Sequence, residues 1–251
     1  MARQANAASL QLSMGAMPIK VQDKKILLLD QRLLPEKTEY FDATSLDDMC
    51  FAIKDMVVRG APSIGAAAAV SMAAEAVRSA KVMTTKDEFL KQLREAKARL
   101  DSTRPTAVNL KWATEKMLQR AVELTSSHQP HLEIKEIGES MFAYALALID
   151  EHLQRNKTLS DLGADLVQQN ANILTHCNAG SLAVCGWGSA LGVIRSAHLR
   201  GLSPRVFVDE TRPRNQGSKL TVWELMQDGI PSTLICDSMA GQLMSKKEID
   251  L

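Results

Sequence analysis

The first clear pattern along the chain is an alternation of apolar and polar positions from Ile19 to Leu29, interrupted at Asp23-Lys24. A period of two predicts a half-buried β-hairpin, here with a turn that lacks the preferred glycine. A second short extended piece is expected around Glu39-Tyr40-Phe41. From residue 45 the period changes. Leu46, Met49, Ile53 and Met56/Val57 recur at helical spacing, with Ser45 placed as N-cap and Asp47 and Asp48 in the first turn, so a helix is expected over 45–58. The same period predicts helices over 63–79, 85–102, 106–124 and 134–153.

Beyond Gln169 the texture changes again. Asn172-Ile-Leu-Thr-His176, Arg205-Val-Phe-Val-Asp209 and Ser232-Thr-Leu-Ile-Cys236 are short apolar runs. They are separated by stretches that predict helices over 188–199, 218–227 and 239–247. Buried strands alternating with helices predict a parallel sheet with right-handed crossovers, and functional residues should collect at the strand carboxyl ends. The fold class is therefore α/β. A mainly helical N-terminal domain with a small β element is expected over 18–155, and a Rossmann-like parallel-sheet domain over 165–251. Substrate is expected between them, and residues 1–17 are expected to be a disordered extension. Residues 125–131 and, more weakly, 155–161 read as linkers. Three parallel strands make a small sheet with open edges, so the second domain reads as incomplete: a fragment, a short variant, or a chain completed by a partner.

Charge narrows the function classes. Thirty Lys plus Arg against 29 Asp plus Glu leave a net charge of +1, too balanced for a general nucleic-acid or anionic-lipid binder. No apolar run is long enough to span a membrane. Cys50, Cys177, Cys185 and Cys236 lack metal or disulfide spacing, which predicts a reducing compartment. The first 20 residues hold two cations and no apolar core, so no secretory signal is expected.

Several segments could carry chemistry. Arg59-Gly60-Ala61-Pro62-Ser63-Ile64-Gly65 precedes an Ala-rich helix. Free N–H groups at its start, clamped by Arg59, would cradle an anion, or else Gly60 and Gly65 merely allow close packing. Residues 101–109 repeat the design with cap hydroxyls, Arg104 and Pro105, and predict a second anion-binding helix start or a well-capped helix. His176-Cys177-Asn178-Ala179-Gly180 follows the first strand directly, which makes Cys177 the candidate nucleophile or acid among four cysteines. The 208–217 loop, with Asp209, Glu210, Arg212, Arg214 and Gln216, reads as substrate-facing. Gly186-Trp187-Gly188-Ser189-Ala190-Leu191-Gly192 departs from a dinucleotide fingerprint and reads as a close helix–strand contact. His128, His131, His152 and His198 read as solvent-exposed, without metal-ligand spacing, so metal catalysis is disfavoured.

Four motifs in order closely resemble the methylthioribose-1-phosphate isomerase family: residues 56–65, 100–109, 173–180 (Ile-Leu-Thr-His-Cys-Asn-Ala-Gly) and 208–217 (Val-Asp-Glu-Thr-Arg-Pro-Arg-Asn-Gln-Gly). The similarity runs from about Pro18 to the last residue. The wider family includes regulatory subunits of translation initiation factor 2B and ribose-1,5-bisphosphate isomerase. The resemblance implies an aldose–ketose isomerase of methionine salvage that converts 5-methylthioribose 1-phosphate to 5-methylthioribulose 1-phosphate without metal or nucleotide. It implies that Arg59, Gly60, Ala61, Arg104 and Gln216 hold the substrate and that Cys177 is catalytic. It also implies a homodimer; the expected compartment is the cytoplasm, or additionally the nucleus, and charge and hydropathy leave no nucleic-acid or membrane partner expected.

An anomeric phosphate blocks spontaneous ring opening, so such an enzyme must bind the dianion and supply an acid near the ring oxygen. Hydrogen then passes from C2 to C1 by a proton-handling pair or by hydride shift in a dry pocket, and both routes stay open. The family's second catalytic group, an Asp in a Gly-Ala-Asp-Arg motif on the next strand, has no counterpart here, since Asp237 comes one strand too early and Asp250 leads toward that strand. Little or no turnover is therefore expected of the 251 residues alone. A non-enzymatic initiation-factor subunit is the rival reading.

Overall fold

The computed structural model describes residues 15–126 and 132–251, which form a mixed α/β protein of two compact units. One unit comprises Ile19–Arg32 and Glu39–Glu151; the other comprises residues 15–18, Leu33–Thr38 and His152–Leu251.

The first unit opens with the expected hairpin, β1 (Ile19–Gln22) against β2 (Lys25–Leu29), antiparallel with Ile19 opposite Leu28. Its turn works without glycine because Asp23 and Lys24 both take left-handed φ, 48° and 66°, as a two-residue turn matched to strand twist requires. Strand β3 (Tyr40–Asp42) adds to β2. Helix α1 (Leu46–Lys54) begins where Ser45 accepts the Asp48 N–H, but it ends four residues before Val58. Met56 at φ 61° breaks it, and Val57 and Val58 are buried outside the helix, where the Val57 carbonyl accepts the Gln31 N–H at 3.0 Å. Their apolar character reflects the core rather than a helical face.

Helix α2 (Ala61–Ser79) is buried almost all round, and the small side chains of its Ala run let neighbours approach on every side. Around it lie α3 (Lys86–Thr103), α4 (Val108–Thr125) and the first part of α5 (Ile134–Ala164). A Cβ on Gly65 would sit 2.9 Å from the Asn109 carbonyl, and one on Gly138 would sit 3.2 Å from that of Ala76.

The stretch 155–161, expected as a weak linker, is the interior of α5. Its polar residues serve the helix: Lys157 pairs with Asp161 at i,i+4, Asn156 donates to the His152 carbonyl, and buried Ser160 donates to the Asn156 carbonyl. Of the other expected linker, residues 127–131 lie outside the described residues, as do residues 1–14 of the expected extension, His128 and His131. His152 is half-buried rather than solvent-exposed. Burial first, and Arg155 second, hold its pKa below the usual histidine value.

In the second unit β4 (Asn172–Thr175), β5 (Arg205–Asp209) and β6 (Ser232–Ile235) form the expected parallel sheet in the order β4-β5-β6. Helices α6 (Ser181–Val184), α7 (Ala190–Leu199), α8 (Val222–Gln227) and α9 (Met239–Ser245) fall between and after the strands. Ile173, Val206 and Val208 from the sheet pack with Leu191, Ile194, Leu225 and Ile230 in one apolar core. The outer edge of β4 is taken up by the last residues: Leu174 N–H donates to the Leu251 carbonyl at 2.9 Å, and Asp250 N–H to that of Asn172 at 2.9 Å.

The glycines at 186–192 do serve close packing, though helix to helix. A Cβ on Gly192 of α7 would overlap Ser160 of α5. Among the described residues no helix is long and apolar enough to cross a membrane.

Candidate active site at the carboxyl ends of the parallel strands

Chain segments leaving all three parallel strands meet in the second unit. After β4 the chain turns sharply at Cys177, whose φ of 63° is left-handed and costs a residue with a Cβ of order 1–3 kcal/mol. Two hydroxyls clamp that peptide. The Cys177 N–H donates to Thr211 Oγ1 at 2.8 Å, and Thr221 Oγ1 donates to the Cys177 carbonyl at 2.5 Å. Thr211 itself has φ 60° and Asn215 has φ 54°, so the loop after β5 holds two more left-handed residues opposite the first. Cys177 is half-buried, and beside it exposed His176 sets its Nδ1 2.9 Å from Oδ2 of Asp209, the last residue of β5.

The third strand contributes Asp237, whose two oxygens accept the N–H groups of Thr211 and Arg212, each at 2.8 Å. Those backbone bonds hold its carboxyl below the ordinary carboxylate value, with a smaller contribution from His176. His176, Asp209 and Asp237 bring ligand-type atoms within 4.8 Å of one another, the donor set in the described residues that could hold a metal ion. Asp237 is engaged on two amides and one Asp209 oxygen on the imidazole, while Asp209 Oδ1 has no hydrogen-bond partner among the described residues.

Beneath the turn lies a buried ion network. Glu224 of α8, fully buried, accepts from the Ser181 N–H and hydroxyl at 2.7 Å each and from Asn178 Nδ2 at 2.9 Å, and it pairs with Arg195 at 2.8 Å. Arg195 also reaches Asp228 at 2.6 Å and the Trp187 carbonyl. Burial opposes the Arg195 charge, yet Glu224 and Asp228 outweigh it and keep its pKa above the ordinary arginine value. A Cβ on Gly180 would overlap the Glu224 carboxylate, which is why the loop carries glycine there. Gly217, whose Cβ would overlap the Asp209 carbonyl, opens a π-helical turn (Gly217–Thr221) that leads into α8. Gln216, half-buried, is the cap of that turn.

In the first unit Gly60, at φ 87°, caps α2, with Pro62 in its first turn. Ala61 is exposed and Arg59 half-buried at that opening. Arg104 sits differently from expectation. Pro105 does not open a helix: α3 runs on through Thr103, Arg104 is its C-cap, and α4 starts only at Val108. The hydroxyls of Ser102 and Thr103 donate back to the Arg99 and Leu100 carbonyls and so finish one helix rather than starting the next. The contact between Gly65 and Asn109 nevertheless lays the start of α4 against the first turn of α2.

Sequence reading passed over Glu224, Arg195, Thr221 and Thr211, and it set Asp237 aside. A usable signal was present for two of them: an acid within Val222-Trp-Glu-Leu-Met226 and a base within Leu191-Gly-Val-Ile-Arg195 are charges embedded in apolar runs, the signature of a buried pair.

A parallel α/β sheet with a strained, doubly clamped cysteine at its carboxyl edge presents that cysteine where α/β proteins of this class bind ligands. The profile of the Initiation factor 2 subunit family matches residues 57–251, and the chain belongs to that family. A methylthioribose-1-phosphate isomerase from Heliobacterium modesticaldum is 48% identical over 232 residues, 92% of this chain and 65% of that protein. A crystal structure of 5-methylthioribose 1-phosphate isomerase from Pyrococcus horikoshii is 36% identical with a TM-score of 0.87, covering 96% of this chain and 65% of that one. The translation initiation factor eIF-2B subunit delta structure from A. fulgidus is 41% identical with a TM-score of 0.83, covering 95% and 66%. The chain thus spans just under two thirds of the length of these relatives.

Proposed function

We propose that this chain carries part of a sugar-phosphate isomerase that converts 5-methylthioribose 1-phosphate to 5-methylthioribulose 1-phosphate in methionine salvage, as a cytoplasmic homodimer. The observation that carries the reading is the Cys177 turn: a left-handed peptide clamped by Thr211 and Thr221 at the strand ends, where an α/β sheet presents reactive groups. The names of the Heliobacterium and Pyrococcus relatives support it. In this reading Cys177 acts at C1/C2, while Arg59, Gly60, Ala61, Arg104 and Gln216 hold the sugar phosphate. Guanidinium groups and helix N–H groups suit a dianion. The domains are a helical one over 18–155 and a Rossmann-like one over 165–251.

The name of the A. fulgidus structure favours a second reading, a non-enzymatic initiation-factor subunit. Turnover of methylthioribose 1-phosphate followed by NMR separates the two. It is run on this chain and on a form extended to the length of the relatives, each with a Cys177→Ser partner. Conversion that disappears with Cys177→Ser supports the isomerase. Folded forms that convert nothing leave the subunit reading standing and sink the first.

A further inference from the structure

Three adjacent strands each deliver one titratable side chain to a single cluster, and the roles assigned above use none of them. His176 follows β4, Asp209 closes β5, and Asp237 lies two residues beyond β6. Asp209 is buried, with a side chain only 7% exposed, whereas that of His176 is 62% exposed. Their 2.9 Å contact joins one edge of an open imidazole to a carboxylate held inside the sheet. Asp209 Oδ1 has no hydrogen-bond partner among the described residues, so its charge is directed at His176 rather than shared with other donors. A carboxylate at Nδ1 keeps the proton on that nitrogen and places the working lone pair on Nε2.

We propose that His176 is an acid–base residue of this site and that Asp209 is its positioning residue; the inference rests on the isomerase reading. The reaction requires one hydroxyl proton to leave O2 and one to arrive at the ring oxygen. Protonated His176 gives its Nε2 proton to the ring oxygen as the bond from that oxygen to C1 breaks, and the bonding pair stays with the oxygen. Hydrogen then passes from C2 to C1. The electron pair of the O2–H bond closes the C2=O double bond as Nε2 takes the O2 proton. Histidine ends as it began, with one proton moved from O2 to the ring oxygen. The account holds whether the C2 hydrogen travels as hydride or as a proton through a second base, so it leaves Cys177 its own task. The buried Asp209 carboxylate offsets the imidazolium charge in the protonated state.

The test combines a spectroscopic and a kinetic readout. Long-range proton–nitrogen spectra of histidine-labelled chain, with His176→Gln to identify the signals, should show His176 protonated on Nδ1 when neutral. Asp209→Asn, whose amide can itself donate, should shift the proton to Nε2. In whichever form turns over, His176→Gln should lower kcat by about 10²- to 10⁴-fold with KM little changed, and Asp209→Asn should lower kcat less. A neutral wild-type His176 protonated on Nε2, or a His176→Gln kcat within about threefold of wild type, overturns the inference and leaves the isomerase reading intact. Should wild type convert nothing in either form, that reading fails. Methylthioribose 1-phosphate is then titrated against the His176 signals. Signals that stay put at saturation overturn the inference as well, and signals that move keep His176 as a ligand-facing residue.

Discussion

Arg195 and Glu224 face each other at 2.8 Å with no solvent exposure on either side chain. Neither charge can exist there alone, and the Glu224 carboxylate has a second duty: it gathers Asn178 and Ser181, the residues just past Cys177. Removing one member of a buried pair leaves the other uncompensated, at a cost of about 3–5 kcal/mol. Glu224→Gln should therefore lower stability by that order. Urea unfolding measures the loss, and faster amide exchange at Ser181 should accompany it.

Gly217 and Gly241 make a matched pair. Alanine at 217 would drive a methyl into the backbone carbonyl of Asp209, an obstacle that cannot swing aside, while nothing lies within 4 Å at Gly241 of α9. Gly217→Ala should cost about 3 kcal/mol or more, at the upper end of overpacking. Gly241→Ala should gain about 0.5–1 kcal/mol from helix propensity. Thermal melts of the two variants should move in opposite directions.

The two hydroxyls on Cys177 are separable. Thr211→Val removes the acceptor for the Cys177 N–H and should cost about 1–3 kcal/mol for an orphaned donor. Thr221→Val removes the donor to its carbonyl and an acceptor for Asn178 Nδ2, but leaves the Cys177 N–H paired. Amide exchange at Cys177 should accelerate in the first variant well beyond the second.

Asp237 gives the acid limb of stability a definite sign. Its folded pKa lies below the ordinary 3.8 because the Arg212 and Thr211 amides favour the charged form. The unfolded chain therefore takes up that proton first as pH falls. The stabilisation is complete above 3.8 and fades as pH drops through the folded value. Denaturation midpoints of wild type and Asp237→Asn, measured from pH 6 downward, should differ most at the top of that range and converge below about 3.8.

Elements whose hydrophobic period matched their burial were legible in the sequence: the hairpin, α1 from its Ser45 cap, and the three apolar strands. Errors arose where one signal had two physical causes. Val57 and Val58 are apolar because the core needs them, not because a helix continues. Pro105 resembles a helix opener but sits in a turn whose hydroxyls look backward. The polar texture of 155–161 marks i,i+4 pairing within α5, not a tether. At the site, local motifs pointed to the Cys177 turn. The acid that orients His176, the hydroxyls that hold Cys177 and the charge beneath the loop come from positions 33 to 47 residues away, and only strand pairing brings them near.

The π-helical turn constrains this segment in length as well as in composition. Gly217–Thr221 holds Thr221 on the Cys177 carbonyl while Glu224, three positions on, reaches Ser181 and Arg195. Within it Gly217, Leu220 and Thr221 are buried, and the exposed Lys219 could change without altering that phase. Deleting one residue would carry everything after it about 100° around the helix axis, so that Thr221 and Glu224 would keep their identities and lose their targets together.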